Sequence, residues 1–282
     1  MSSESEDFQA ALETALPILR GMKKSLRRSP KATQTSLQRL QAILPSTFEK
    51  TGTEHSLTQT PEIDSPRIPV NGDDGRLAKL ERLKKDILGC TRCPNLVASR
   101  TQVVYGIGNP FAELLFVGEA PGEEEDLKGE PFIGKAGQLL TKIIGAMEYS
   151  REEIFIANVL KCRPDMPAGE SGNRKPKPSE MATCLPWLKQ QIELIKPKVI
   201  VALGLTAVEG LLGEPITMRD VRGKWLDYSG VPLMPTYHPA YLLRNQTLSE
   251  KRKVWEDMLL VLEKLERPIS EKQRSYFLEK AS

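Results

Sequence analysis

The chain has 282 residues, 39% of them apolar and 27% charged, which leaves room for one large or two modest domains. No apolar run approaches the length of a membrane span, and the first ten residues are largely polar and acidic, unlike a secretory signal, so a soluble cytoplasmic protein is expected. A net charge of +3 permits a nucleic-acid partner without demanding one.

Residues 1–75 read as a low-complexity, largely disordered N-terminal extension. Loose apolar–basic patterns over 8–28 and 37–44 predict short helices, while 45–75 is rich in Ser, Thr, Pro, Gly and Asp without periodicity. The basic run 23–31 is either an arm that tethers DNA or a solvated face. From residue 76 the pattern changes. A charged helix over 77–88 closes at Gly89 and delivers Cys90. Four apolar runs then follow, at 114–117, 154–159, 199–203 and 231–236, with helical patterns at 136–147, 179–195, 206–212 and 248–265. Strands alternating with helices imply βαβ crossovers, hence an α/β domain over 76–268 with a mainly parallel sheet covered on both faces. A C-terminal tail, 269–282, follows it.

The stretch 113–140 is the one the rest of the chain is arranged to serve. A short buried strand runs into a Gly/Pro-rich, acidic loop with one lone aromatic, Phe132, and then into a helix. Open α/β sheets present ligand pockets in such turns, beyond the carboxyl ends of their strands. A polar loop with one ring suits something flat.

Four cysteines occur, Cys90, Cys93, Cys162 and Cys184. A C-x2-C pair with two distant partners in an intracellular chain argues for a metal or cluster site over disulfides. Zinc takes four thiolates tetrahedrally, and a [4Fe–4S] cluster accepts the same set. Spacing does not choose between them.

Of the two histidines, His55 lies in the extension and His238 follows the last strand in PTYHPAYLLR. Asn158 closes the second strand in FIANVLKCRP. Its amide can give and take a hydrogen bond, as an amide-like base edge requires.

In order along the chain, GEAPGEEED, GEPFIGKAGQLL, NVLKCRP, KVIVALG, RGKW and PTYHPAYLLRN stand with these four cysteines. Together they resemble the family 4 uracil-DNA glycosylases, the iron–sulfur-containing bacterial and archaeal type, over roughly residues 77–266. The resemblance implies a three-layer α/β/α sandwich that flips uracil out of single- or double-stranded DNA and hydrolyses its N-glycosidic bond. An abasic site remains, the first product of base excision repair. By position, Glu119 and the backbone around Ala120 line the uracil pocket, Phe132 stacks on the base, Asn158 reads its O4/N3 edge, and His238 donates toward O2. Catalysis would rest on His238, Asn158 and Glu119. The four cysteines would bind a structural [4Fe–4S] cluster, with zinc as the alternative, and the enzyme would act as a monomer.

The best-known uracil glycosylases of other families carry a water-activating Asp where this sequence has Ala120, so either bond breaking is dissociative enough for any nearby water to serve, or Glu119, Glu125 or Asn173 positions the water. Glu125 also belongs to the expected substrate pocket. The acidic block 123–126 is read as a solvated loop or helix start, with Mg2+ as the alternative. Lys161, Arg163, Arg174, Arg222, Lys224 and Arg244 lie in post-strand loops or beside motifs, where they could hold phosphates. Leu242 or Leu243 could wedge into the vacated base stack. The segment from Asp126 to Phe132 lacks the basic insertion of a covalently trapping branch, so ordinary turnover is expected. The rivals are a non-catalytic, metal-stapled module binding DNA or uracil, and a nucleotide-binding protein with a zinc site. The second is disfavoured by the absence of GxGxxG and Walker motifs.

Overall fold

The computed structural model describes residues 75–278 except residue 168, and the expectations for the N-terminal extension lie outside these residues. Its centre is a six-stranded sheet in the order β1-β3-β2-β4-β6-β5. The four inner strands, β2 (Leu114–Gly118), β3 (Phe155–Asn158), β4 (Val199–Leu203) and β6 (Val231–Thr236), are mutually parallel. β1 (Ile107–Gly108) and β5 (Leu226–Tyr228) add antiparallel edges. Strands β2, β3 and β4 are buried at every position. Covered on both faces, they read as unbroken apolar runs in place of alternating ones.

Side-chain alternation divides the interior in two. Leu115, Val117, Ile200 and Ala202 face α1 (Arg76–Leu88), α5 (Pro178–Ile195) and α6 (Leu205–Leu212). Leu114, Phe116, Val199 and Val201 face α4 (Lys135–Ala146) and α9 (Leu248–Lys264). The result is the expected three-layer sandwich. From β2 the chain crosses to β3 on one side and returns past it to β4 on the other, which opens a crevice at the carboxyl end of β2.

The helices α2 (Pro94–Ser99), α7 (Met218–Val221), α8 (Pro239–Arg244) and α10 (Glu271–Arg274) were not expected, nor were β1 and β5, whereas α3 (Glu123–Lys128) begins at the acidic block, where a loop or a helix start was expected. All are two to six residues long, too short to show a period. Within the expected C-terminal tail, residues 269–278 are described and pack against the domain. Ser270 caps α10, Gln273 donates to the Ala146 carbonyl at 3.0 Å, and Trp255 donates to the Gln273 carbonyl at 2.6 Å. Among the described residues no helix is long and apolar enough to cross a membrane.

Candidate active site

The parallel register brings the strand ends level. Gly118 pairs with Asn158 and Leu203 with Thr236, so Glu119, Asn158 and His238 all leave the sheet at one edge. There they surround a cavity of about 390 Å3, lined also by Ala120, Glu125, Phe132, Arg174 and Arg244.

Gly118 sits behind two of these side chains. A Cβ there would lie 2.4 Å from Asn158 Oδ1 and 2.5 Å from the Phe132 ring, so only glycine allows both side chains to converge. Phe132 sits in the left-handed region at φ 53, a strained conformation for a bulky residue. Two features hold it. Arg151 donates to the carbonyls of Phe132 (3.1 Å) and Pro131 (2.9 Å), and Gly137, which was not singled out in the sequence, clears the backbone where a Cβ would stand 1.9 Å from the Phe132 carbonyl carbon. No sequence signal pointed to Arg151, which lies in a loop beyond the pocket motifs.

Asn158 is 3% exposed, and its Oδ1 has no hydrogen-bond partner. A buried acceptor left unpaired costs about 1–3 kcal/mol. Donors for it are therefore sought in the cavity, where the oxygen stands beside the Phe132 ring.

His238 is the N-cap of α8, and its Nδ1 accepts the Ala240 N–H at 3.1 Å. Burial, with Arg244 nearby, lowers its pKa to about 4 against the pull of Glu125, so the ring is neutral near pH 7. With Nδ1 accepting, the ring proton is on Nε2. The imidazole lies 5.6 Å from the Phe132 ring, tilted by 32°. Gly204, at φ 88, lets the β4 turn pass behind it.

The carboxylates differ. Glu125 accepts the backbone N–H groups of Gly122, Ile133 and Gly134 at 3.0–3.1 Å and so staples the loop. Asp126, 2% exposed, accepts the Thr101 N–H with both oxygens. These bonds engage Glu125 and Asp126, two of the four carboxylates of the acidic block that was the Mg2+ alternative. Glu119 lines the cavity, and no described residue bonds its carboxylate. Asn173 lines the cavity too.

Two expected DNA contacts are corrected. Lys161 is 1% exposed, with Nζ on the Asn158 carbonyl (2.9 Å) and Gln191 Oε1 (2.5 Å), so it cannot reach a phosphate. Leu242 is 4% exposed and packs inward, whereas Leu243, next on the helix, is 37% exposed and free to wedge. The other cations differ in freedom. Arg174 is held by Asp165 and Glu180, and Arg222 by Asp257 and the Lys253 carbonyl. Arg163 donates to the Gly172 carbonyl, while Lys224 and Arg244 are exposed.

The four cysteine side chains, all free thiols, line one separate cavity with Trp187 and Arg100. Three N–H groups point at its sulfurs: Arg100 at Cys162 (3.0 Å), the Lys161 backbone at Cys184 (3.2 Å) and the Trp187 indole at Cys90 (3.3 Å). Arg92 stacks on Trp187 at 4.2 Å. Burial raises the pKa values of Cys93, Cys162 and Cys184. Four thiols, two buried and two half-buried, with cations and N–H donors beside them, suit anionic sulfur held on a metal centre. The sulfurs are not gathered into a single-ion set.

The sequence profile of the uracil DNA glycosylase superfamily matches residues 105–259. A type-4 uracil-DNA glycosylase of Thermotoga maritima is 47% identical over 180 residues, 63% of this chain and 88% of that protein. Those of Archaeoglobus fulgidus and Sulfurisphaera tokodaii are 40% and 42% identical, covering 88% and 80% of their own lengths and 62% and 63% of this chain. With cavity, strand register and sequence in agreement, the chain belongs to the type-4 uracil-DNA glycosylases of the uracil DNA glycosylase superfamily.

Proposed function

We infer that this protein is a uracil-DNA glycosylase that takes uracil out of the DNA stack, hydrolyses its N-glycosidic bond and leaves an abasic site for base excision repair. Family membership supports the activity. The observation that carries the site is the partnerless Asn158 Oδ1 facing the cavity beside Phe132 and His238.

Extruding the base costs a few kcal/mol of unstacking, and stacking on Phe132 returns about 1–3 kcal/mol without distinguishing bases. Discrimination then falls to Asn158. Uracil offers an N3–H donor to Oδ1 and an O4 acceptor to the amide N–H. Cytosine offers a lone pair and a donor at the same places, leaving buried groups opposed. As the bond between N1 and C1′ breaks, its electrons leave with the base. The Nε2–H of His238 meets the charge gathering on O2, and a neutral imidazole gives that hydrogen bond without transferring its proton outright. Water adds to C1′ and releases a proton. With Glu125 committed to backbone N–H groups, Glu119 and Asn173 remain to position the water.

Cys90, Cys93, Cys162 and Cys184 would hold a [4Fe–4S] cluster, supported by the type-4 family and by the N–H donors around the sulfurs. When bound, it supplies a cross-link between α2, α5 and the loop after β3, with no redox step. Zinc, which takes four thiolates tetrahedrally, is the alternative. The protein would act as a monomer. Arg244, Lys224, Arg163 and Leu243 are the groups best placed to meet DNA, single- or double-stranded.

The test is incubation with a single-uracil oligonucleotide followed by alkali. Strand scission at uracil, with none at cytosine or thymine, is expected. Asn158→Asp should lose uracil rate and begin to release cytosine. A gel shift without scission would instead mark a binding module.

A further inference from the structure

We propose that Lys161 is a positioning residue for base recognition, fastening the end of β3 that carries Asn158 to the cysteine-bearing side of the domain. The inference rests on the reading of Asn158 given above and deepens it.

The sheet register leaves a gap at this point. β1 covers only Phe155 and Ile156 of β3, through the pairs Gly108↔Phe155 and Ile107↔Ile156. Continued along the chain, that antiparallel register would set Asn158 opposite Tyr105, but no strand exists there. On the other side, the backbone bonds to β2 run from the N–H groups of Val159 and Leu160 to the carbonyls of Gly118 and Glu119. Because alternate residues of a strand direct their backbone groups to opposite neighbours, the Asn158 carbonyl points toward the missing partner. A buried carbonyl without a donor is costly.

Two side chains replace the missing ladder. Lys161 Nζ donates to the Asn158 carbonyl at 2.9 Å and to Gln191 Oε1 at 2.5 Å, and Gln191 Nε2 donates to the Tyr105 carbonyl at 3.0 Å. All three links are fully buried, with Lys161 1% and Gln191 0% exposed. The same lysine is anchored from its backbone, whose N–H meets Cys184 Sγ and whose carbonyl accepts the Val104 N–H at 2.8 Å. One residue therefore contacts both the recognition strand and a cysteine of the other cavity. An ammonium suits the task because it donates along several directions to neutral acceptors. A methionine fills the same space and donates nothing.

The test is a thermodynamic cycle on the intact chain: parent, Lys161→Met, Asn158→Ala and the double variant. Each is measured for single-turnover uracil excision, metal content per chain and thermal midpoint. Lys161→Met is expected to slow excision about tenfold or more at unchanged metal content, and to add less than about twofold to the loss in Asn158→Ala. A purely supportive role would lower the midpoint and multiply fully onto Asn158→Ala, and that result overturns the inference. So does a rate within about twofold of the parent. Should Lys161→Met fail to fold or lose metal, Gln191→Met, which removes the second partner and keeps the ammonium, is judged by the same criteria. If Asn158→Ala cleaves like the parent, the reading of Asn158 falls and takes this inference with it. If Asn158 is needed and Lys161 is dispensable, only the inference falls.

Discussion

The base pocket and the four-cysteine cavity draw on adjacent stretches of one chain, and Asn158 and Cys162 are separated by three residues. Their polar groups are treated in opposite ways. In the pocket, Asn158 Oδ1 is buried without a partner, and no described residue bonds the Glu119 carboxylate. Around the cysteines, Arg100, the Lys161 backbone and Trp187 aim N–H groups at three of the four sulfurs. Buried groups left unpaired mark a place where a transient ligand completes the bonding, whereas groups already paired mark a support. Substitutions in the pocket should therefore cost rate and spare stability, and substitutions around the cysteines the reverse, except at Lys161, whose side chain bonds the recognition strand as well.

The largest effect is expected at His238. Replacing it with Ala removes the donor aimed at the departing base, and loss of one such donor elsewhere costs about 10²–10³ in kcat. DNA binding and thermal midpoint should stay near those of the parent. Near-normal turnover would remove His238 from the chemistry and break the comparison at its strongest point.

Gly118→Ala comes next, because the added methyl would stand within 2.6 Å of both Asn158 Oδ1 and the Phe132 ring. Single-turnover excision should fall about tenfold or more, since misplacing a group by about 1 Å can cost a hundredfold. If the rate holds, those two side chains are not the walls of the slot.

How far the sequence revealed this arrangement depended on element length. β2 and β4 were legible because burial on both faces makes them unbroken apolar runs. The strand ends then located Asn158 and His238 without any coordinates. Lys161 was misread because a lysine just past a strand looks solvated, and nothing local reveals that the neighbouring edge strand stops short. Leu242 and Leu243 sit in a six-residue helix, too short for periodicity to tell inward from outward. Gly118 carried a signal that could have been used, a glycine closing a buried strand just before the pocket motif. Arg151 and Trp187 carried none, since each acts on a segment far away in sequence, 19–20 and 97 residues respectively.

A smaller effect, on the supporting side, is expected at Trp187. Trp187→Phe keeps an aromatic ring under Arg92 and deletes the N–H that meets Cys90 Sγ. The loss should be about 1 kcal/mol of stability, with the excision rate per metal-loaded molecule unchanged. A rate loss without destabilisation would show that the cysteine side does more than hold the strands.

A further small effect concerns pH, and its sign separates His238 from an ordinary histidine. A free imidazole titrates near 6.5, but burial beside Arg244 lowers that of His238 to about 4. The Nε2–H donor is thus already present in the neutral ring, and excision should change by less than about twofold between about pH 8 and pH 6, with no step near 6.5. Stability behaves differently. Between about 6.5 and about 4 the unfolded chain binds a proton at this histidine that the folded chain does not, so stability is lost as pH falls through that window. Protonation at Nδ1 would also set an N–H against the Ala240 N–H and release the cap of α8. The thermal midpoint of the parent should therefore drop across this window more steeply than that of His238→Ala, in which the group is gone. Parallel melting curves, or a rate step near 6.5, would mean that the ring is solvated in the free protein, and the pocket would then lack the dry donor on which the contrast with the cysteine cavity depends.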